Sequence, residues 1–372
     1  MDDNWQSYIN FMMETDSLTD SEKEKVQTGI KLLRKTFDDA WLSEVVMTGH
    51  PLLYRMSNTI NWSQYWLADL GNRIESLRNI HKFSELELRL KDPDQYGGAI
   101  SELDSIYKLF KGGFEIKLSP RIGNGNKKAD VKATLVNDET FFEVSTLMPS
   151  AKQNASWQTF RLLSHPYQFN RDVNTFFQIH KILSKPRINE FCTKIEKAIE
   201  EVKVTKGYCY IGEPNVLDYL IFSKDIPIDE ARKIAENNNM KSECSGPPAP
   251  VDDVRRLEAK IWDKVEQLPK EKPSVLVLYA NLLDFGDNYE IFYDDIVFEM
   301  EESIYDQDNI TLGIIISNTS DLERKEYTIE KPNYFFIQKY IHKEIGEGTL
   351  IIKNRYSKFQ INNKIFNAFT KL

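Results

Sequence analysis

Asp130 and Glu143 are the residues of this chain whose type and spacing most directly suggest chemistry. Asp130 follows a loop rich in glycine and asparagine, Gly123–Asn126, and begins a strand-like segment. Glu143 lies in the next such segment, beyond a turn signal at Asn137-Asp138. If the segments pair antiparallel, the two carboxylates lie close together at one end of the hairpin. Ordinary acids at strand ends would give the same pattern.

Two nearby carboxylates predict a site for Mg²⁺, or for Mn²⁺ in its place. Mg²⁺ binds oxygen ligands, takes one or two carboxylates from the protein and keeps several of its waters. A metal held by Asp130 and Glu143 would lower the pKa of a bound water and stabilise negative charge on a phosphodiester. Glu102 falls in a predicted helix over about residues 99–110 and would assist, either touching the metal or supporting its ligands. Its neighbours are apolar, so a helix-capping role explains Glu102 equally well.

Two lysines could supply a cation to this site. Lys132 is two residues after Asp130, and strand alternation places both on one face. Lys264 lies on a periodic helical segment and forms a polar stripe with Lys260 and Gln267. Solvated surface positions are the competing interpretation for the lysines and for Gln267.

The surrounding segments alternate between helical and strand patterns. A helix precedes three strands, and a second helix precedes a continuous apolar run of the kind found in fully buried strands. The segments are 99–110, Phe114–Leu118, Ala129–Val136, Thr140–Thr146, Val254–Leu268 and Ser274–Tyr279. This order predicts an α/β fold with a mixed sheet as its core.

The core resembles the PD-(D/E)xK nuclease superfamily, which has the restriction-endonuclease-like fold. Matching residues are Glu102 in Ser-Glu-Leu, Asp130 in Lys-Ala-Asp-Val, and Glu143 in Phe-Glu-Val-Ser. The resemblance spans roughly residues 96–285, with an insertion at about 150–250. It implies metal-dependent hydrolysis of phosphodiester bonds in DNA or RNA, in defence or repair, with the metal on Asp130 and Glu143.

One position departs from the family pattern. The pattern has a lysine two residues after Glu143, and this chain has Ser145 there. A serine cannot supply the cation that orients the attacking water and offsets developing charge. Lysines on other elements replace it in some members, so Lys132 or Lys264 could serve here. If neither does, the chain is a non-catalytic relative, a binding or scaffold module.

The resemblance does not cover the two ends of the chain. Residues 1–95 are predicted to be helical, with a capping box formed by Ser21 and Glu24. Residues 286–372 are predicted to be an extension packed on the core. Within it, Gly286–Asp308 contains nine acids and no Lys or Arg, which suggests a solvated face, a mimic of nucleic-acid phosphates or a surface for a basic partner. Gly348–Leu372 mixes bases with aromatics, as surfaces that stack on single strands do, or as a folded strand pair would.

Composition limits the classes of partner. The 48 Lys and Arg against 57 Asp and Glu give a net charge of −9, so a nucleic-acid partner would need a local basic groove. Three unpaired cysteines argue against a disulfide framework and favour the reducing cytoplasm. No stretch approaches the roughly 20 apolar residues of a membrane span. The sequence leaves open whether the chain forms a homodimer.

Overall fold

A computed structural model describes most of the chain. The described residues are 5–13, 18–48, 50–56, 61–121, 128–148, 150–168, 170, 172–248, 253–280, 289–319, 326–342, 345–360 and 362–371. The Gly123–Asn126 loop and the start of the acidic block lie outside them. The chain forms two compact units: a main unit of Met1–Met148 with Asp253–Leu372, and an inserted unit of Pro149–Asp252.

The elements are numbered in chain order. The helices are α1 (Trp5–Met13), α2 (Asp20–Thr36), α3 (Asp39–Thr48), α4 (Pro51–Met56), α5 (Asn61–Leu77), α6 (Phe83–Lys91), α7 (Tyr96–Lys111), α8 (Ala151–Gln168), α9 (Lys185–Thr205), α10 (Ile228–Asn237), α11 (Asp253–Val265), α12 (Tyr289–Tyr305) and α13 (Asn363–Thr370). The strands are β1 (Glu115–Leu118), β2 (Val131–Leu135), β3 (Asp138–Thr146), β4 (Val173–Ile179), β5 (Tyr208–Glu213), β6 (Leu217–Ser223), β7 (Cys244–Ser245), β8 (Ser274–Tyr279), β9 (Ile310–Thr319), β10 (Tyr327–Glu330), β11 (Tyr334–His342) and β12 (Ile345–Lys353).

The main unit is built on a mixed sheet in the order β1-β2-β3-β8-β9-β12-β11-β10. β2 is antiparallel to both of its neighbours, β1 and β3, whereas β8 is parallel to both β3 and β9. All six residues of β8 are buried, as its continuous apolar run predicts. The predicted α/β class, a helical N-terminal region followed by a mixed-sheet core, is confirmed.

Two hydrophobic clusters cover the two faces of this sheet. One joins the N-terminal helices and α7 to alternate strand residues such as Phe142 and Val277. The other joins α11 and α12 to the intervening residues, such as Phe141 and Leu276. The predicted boundaries near residues 95 and 285 therefore fall inside the main unit. The insertion predicted at about 150–250 spans nearly the same residues as the inserted unit.

The turn between β2 and β3 lies one residue earlier than predicted. Leu135 pairs with Asp138, so the turn residues are Val136 and Asn137 rather than Asn137 and Asp138. Val136 has a left-handed φ of 59°, which is uncommon for a β-branched residue. The strand register explains why the turn lies at Val136 and Asn137, because a shift by one residue would turn the buried side chains of both strands to the opposite face of the sheet.

The capping box of α2 also lies two residues earlier than predicted. The Thr19 hydroxyl accepts a hydrogen bond from the backbone N–H of Glu22, whose carboxylate accepts one from Thr19. Ser21 is already helical, so it cannot adopt the extended backbone of a cap residue. Further along, α2 and α5 pack closely, since a Cβ on Gly71 would lie 2.1 Å from the carbonyl oxygen of Gly29.

A buried ionic network fixes α7 against the sheet. Lys108 Nζ lies 2.8 Å from Asp104 Oδ2 and 2.9 Å from Glu347 on β12. The Tyr279 hydroxyl donates to Asp104 at 2.5 Å, and Arg73 of α5 pairs with Asp104 as well. Buried charges need such partners, because an unpaired one is costly to desolvate. The network therefore holds α7 in one orientation, which also positions Glu102, the other acid of that helix.

The C-terminal residues fold onto the sheet, in part differently from the predicted strand pair. Asn354 follows β12, and the next element is the helix α13 rather than a strand. Phe369 of α13 is buried and stacks on Phe142, with ring centroids 6.5 Å apart. The acidic block is described from residue 289 onward, and that part includes the whole of α12.

The inserted unit has its own four-stranded sheet, in the order β5-β6-β4-β7. The helix α9 packs on it through a stripe that includes Ile195 and Ile199. In the described part of the chain, no helix combines the length and the apolar character that crossing a membrane requires.

Candidate active site

The hairpin of β2 and β3 brings Asp130 and Glu143 together. Asp130 directly precedes the residue pair Val131–Phe142, which places it opposite Glu143 on the partner strand. Its Oδ2 accepts a hydrogen bond from the backbone N–H of Val144 at 2.8 Å. Glu143 points from a central strand into a buried environment, with 1% of its surface exposed. The two carboxyl groups lie within hydrogen-bonding reach of each other.

Lys264 completes this pair from a distant part of the sequence. The apolar face of α11, which includes Ile261 and Val265, packs on the same face of the sheet as Glu143. This packing directs the Lys264 side chain to the carboxylate, with Nζ 2.7 Å from Glu143 Oε1. The lysine side chain keeps only 18% of its surface exposed.

Lys132 lies outside the cluster, although strand alternation does put it on the same face. It forms an ion pair with Glu139, with Nζ 2.6 Å from Oε1. Glu139 is four residues before Glu143 on β3, so this pair lies toward the turn end of the hairpin. Each lysine thus pairs with a different glutamate of one strand, and only Lys264 reaches the acid beside Asp130.

Glu102 approaches the pair from α7 and brings Arg89 with it. Glu102 is buried, and its Oε2 accepts a hydrogen bond from Arg89 Nη2 at 2.6 Å. Both Asp130 and Lys264 act electrostatically on Glu102, which places all of these charges in one neighbourhood. Arg89 is on α6, ahead of the region that carries the family resemblance. No spacing in the sequence connects it to the acids, so sequence reasoning did not identify it.

The pKa values of the three acids are raised, mainly because the acids are buried. Burial, together with the charge of Asp130, raises the pKa of Glu143 to about 8 against the opposing effect of Lys264. Burial likewise raises the pKa of Glu102 to about 7, although Arg89 opposes it. The pKa of Asp130 is raised by burial despite its hydrogen bond from Val144. Such shifts occur at functional sites and in structural ion-pair networks alike.

The second carboxyl oxygen of Glu143, Oε2, lacks a hydrogen-bond donor among the described residues. This oxygen is also buried. A proton shared with Asp130 would satisfy it, and so would a divalent cation between the two carboxyls. The donor set fits Mg²⁺, since oxygen ligands from one or two carboxylates suffice for that ion. Within the described ranges, no three acidic, histidine or cysteine side chains gather as a metal-binding group.

No family model matches this chain, and no curated protein matches it.

The raised pKa of Glu143 predicts how the stability of the folded protein varies with pH. Its pKa rises from an ordinary 4.5 to about 8 on folding, so protonation favours the folded state. This contribution is complete below the ordinary pKa and is lost as the pH rises toward 8. We expect the thermal midpoint of Glu143→Gln to fall less than that of the parent over that range, because glutamine does not ionise.

Thermal melting of parent and variant across this pH range measures the difference. Glu139→Gln is the matched control, since Glu139 lies on the same strand and its pKa is lowered by Lys132. The thermal midpoint of this control should vary with pH as that of the parent does above about pH 5, because Glu139 is then ionised in both the folded and the unfolded state. Parallel profiles for the parent and Glu143→Gln would contradict the buried, proton-holding Glu143.

Proposed function

We propose that this protein hydrolyses phosphodiester bonds in DNA or RNA, using Mg²⁺ or Mn²⁺ held by Asp130 and Glu143. The observation that carries the proposal is the contact of Lys264 with Glu143, beside Asp130. A carboxylate pair with an adjacent lysine is the chemistry that the resemblance to the PD-(D/E)xK superfamily implies. In this chain the lysine comes from α11, and Ser145 stands at the usual lysine position.

Each residue has a role in this proposal. A bound Mg²⁺ would supply a water of lowered pKa and offset charge on the phosphate. Asp130 and Glu143 bind the ion, and the Val144 N–H orients the Asp130 carboxylate. Lys264 places an ammonium group where negative charge develops on the substrate. Glu102, held by Arg89, adds a third acid that supports the site from α7.

The order of elements also supports the proposal. The main unit contains, in chain order, the helix α7, the three antiparallel strands β1–β3, the helix α11 and the parallel strand β8. This is the order of elements in the core that the resemblance implies. The inserted unit enters between β3 and α11, which is where the resemblance has its insertion.

A cleavage assay on the parent protein tests the proposal. We expect single-stranded or duplex DNA or RNA to be cut in Mg²⁺ or Mn²⁺ and to remain intact in EDTA. Cleavage should increase as the pH rises toward 8, because Glu143 must lose its proton to bind a metal. Cleavage that persists unchanged in EDTA would contradict the metal mechanism.

The alternative is a module with the same fold that binds without cleaving. The observation that favours it is the same ion pair, since Lys264 already neutralises Glu143 without a metal. The absence of cleavage with either metal on every nucleic acid tested, together with retained binding, would support this alternative.

A further inference from the structure

The antiparallel pair of β1 and β2 continues, beyond the ends of both strands, to two cations that are cross-strand partners. Arg121 and Lys128 form an antiparallel bridge, and both residues are exposed. In the described part of the chain, neither side chain makes an ion pair or a hydrogen bond. Like charges directly opposite each other on neighbouring strands repel and destabilise the sheet. The fold therefore holds two cations together at a cost that no described residue offsets.

A second pair of cations on the same two strands does have a compensating acid. Lys117 lies opposite Lys132, and Lys132 Nζ is 2.6 Å from Glu139 Oε1. One carboxylate thus offsets the repulsion between these two lysines. An anion that binds from solution would do the same for Arg121 and Lys128.

Backbone hydrogen bonds fix the uncompensated pair next to the acids of the candidate active site. The Ser119 N–H donates to the Asp130 carbonyl at 2.8 Å, and the Ala129 N–H donates to the Pro120 carbonyl at 3.3 Å. The two segments therefore stay paired from Asp130 to Lys128, which is two residues away, or roughly 7 Å along an extended backbone. The cations lie beside the proposed metal position without being part of it.

The neighbouring site indicates which anion fits the pair. A nucleic-acid strand carries one negative charge per nucleotide, so phosphates on either side of a cleaved bond lie close to the site of cleavage. An arginine can bind a phosphate through two parallel N–H···O hydrogen bonds, and a lysine binds it as a point charge. Contacts of this kind position a strand without reading its bases.

We propose that Arg121 and Lys128 bind backbone phosphates of a nucleic acid next to the bond that is cleaved. The inference rests on the proposed function, because it names residues that hold the substrate at that site. Since the contacts are to phosphate, this binding does not depend on base sequence and requires no metal. The latter property separates its test from the cleavage assay.

The salt dependence of oligonucleotide binding tests these contacts. Fluorescence anisotropy in EDTA gives the affinity of labelled oligonucleotides of several sequences at a series of salt concentrations. We expect Arg121→Gln and Lys128→Gln each to reduce the slope of log affinity against log salt by about 0.7 on a single strand or about 0.9 on a duplex. The affinity should fall equally for every sequence. Arg121→Lys keeps the charge and should keep the parental slope.

Thermal melting without nucleic acid gives a readout in the opposite direction. At low salt, Arg121→Gln should raise the thermal midpoint by about 1 °C, because the variant no longer has the repulsion between the two cations. At high salt this difference should disappear, since salt screens exposed charges. Replacing a residue with a purely structural role would lower the midpoint instead.

Lys132→Gln is the matched control for both measurements. It removes the same charge from the same two strands, but Lys132 is already paired with Glu139. We expect this variant to keep the parental salt slope and to show no increase in thermal midpoint.

Four results would overturn the inference. They are unchanged salt slopes in both Arg121→Gln and Lys128→Gln, an equal reduction of the slope in Lys132→Gln, a lowered thermal midpoint in Arg121→Gln, and equal competition by polyglutamate, which would assign the pair to an acidic polypeptide. Reduced slopes with no metal-dependent cleavage by the parent would contradict the proposed function and leave this inference standing. Metal-dependent cleavage with unchanged slopes would do the reverse.

Discussion

Replacing Lys264 with alanine should lower the rate of phosphodiester cleavage by about 10²–10³-fold, the usual effect of removing one group that stabilises transition-state charge. The ammonium group of Lys264 lies 2.7 Å from Glu143, beside the proposed metal position. Alanine removes the cation and leaves Glu143 buried without its partner, so the pKa of Glu143 should rise further. Rates measured with saturating Mn²⁺ and a fixed oligonucleotide give the comparison.

Lys132→Ala is the matched control for this experiment. Lys132 also pairs with a glutamate of β3, but that glutamate is Glu139, away from Asp130. We expect Lys132→Ala to cleave at nearly the parental rate. Parental cleavage rates in both variants would rule out a substitute lysine. A large loss of cleavage rate in Lys132→Ala alone would assign the role to Lys132 instead of Lys264. Melting curves show whether each variant is folded.

Replacing Asp130 with asparagine should abolish stabilisation by metal. If the parent binds Mn²⁺, its free energy of unfolding increases by about 2.7 kcal/mol when the Mn²⁺ concentration is a hundred times the dissociation constant. The asparagine side chain would still accept the hydrogen bond from Val144 but would lack the ligand charge, so we expect no metal-dependent shift. Without metal, the free energy of unfolding of the variant should be lower than that of the parent by about 1 kcal/mol or less. Thermal melting with and without Mn²⁺ measures both effects.

Nucleic-acid binding provides a second readout for Asp130→Asn. In EDTA the affinity should stay the same or increase, since one negative charge facing the phosphates is gone. Glu139→Gln, which neutralises a partly exposed acid on the neighbouring strand, should keep the metal-dependent shift of the parent. An equal shift in parent and Asp130→Asn, or no shift in the parent, would remove Asp130 from the site.

The sequence was most informative where the deciding interactions are local. Alternation on both sides of a turn signal predicts the β2–β3 hairpin, and the hairpin alone brings Asp130 close to Glu143. The details were less predictable, because the turn at Val136 and the cap at Thr19 depend on which residues the surrounding core buries. A local pattern identifies such an element, and packing against the rest of the chain decides its exact residues.

The choice between the two lysines shows where sequence reasoning ended. Lys132 satisfied the rule of strand alternation, yet its partner is Glu139. Lys264 is 121 residues away from Glu143, and it reaches that acid because α11 packs on one particular face of the sheet. Arg89 reaches Glu102 because the N-terminal helices share a core with α7.

By itself, the sequence determined the α/β class, the buried central strand and the carboxylate pair, since each depends on residue pattern over a short stretch. The tertiary structure alone decided which cation meets that pair and which residues beyond the family-like core join it. The physical reason is the same in each case: burial and ion pairing depend on elements distant in the chain, whose packing no local pattern specifies.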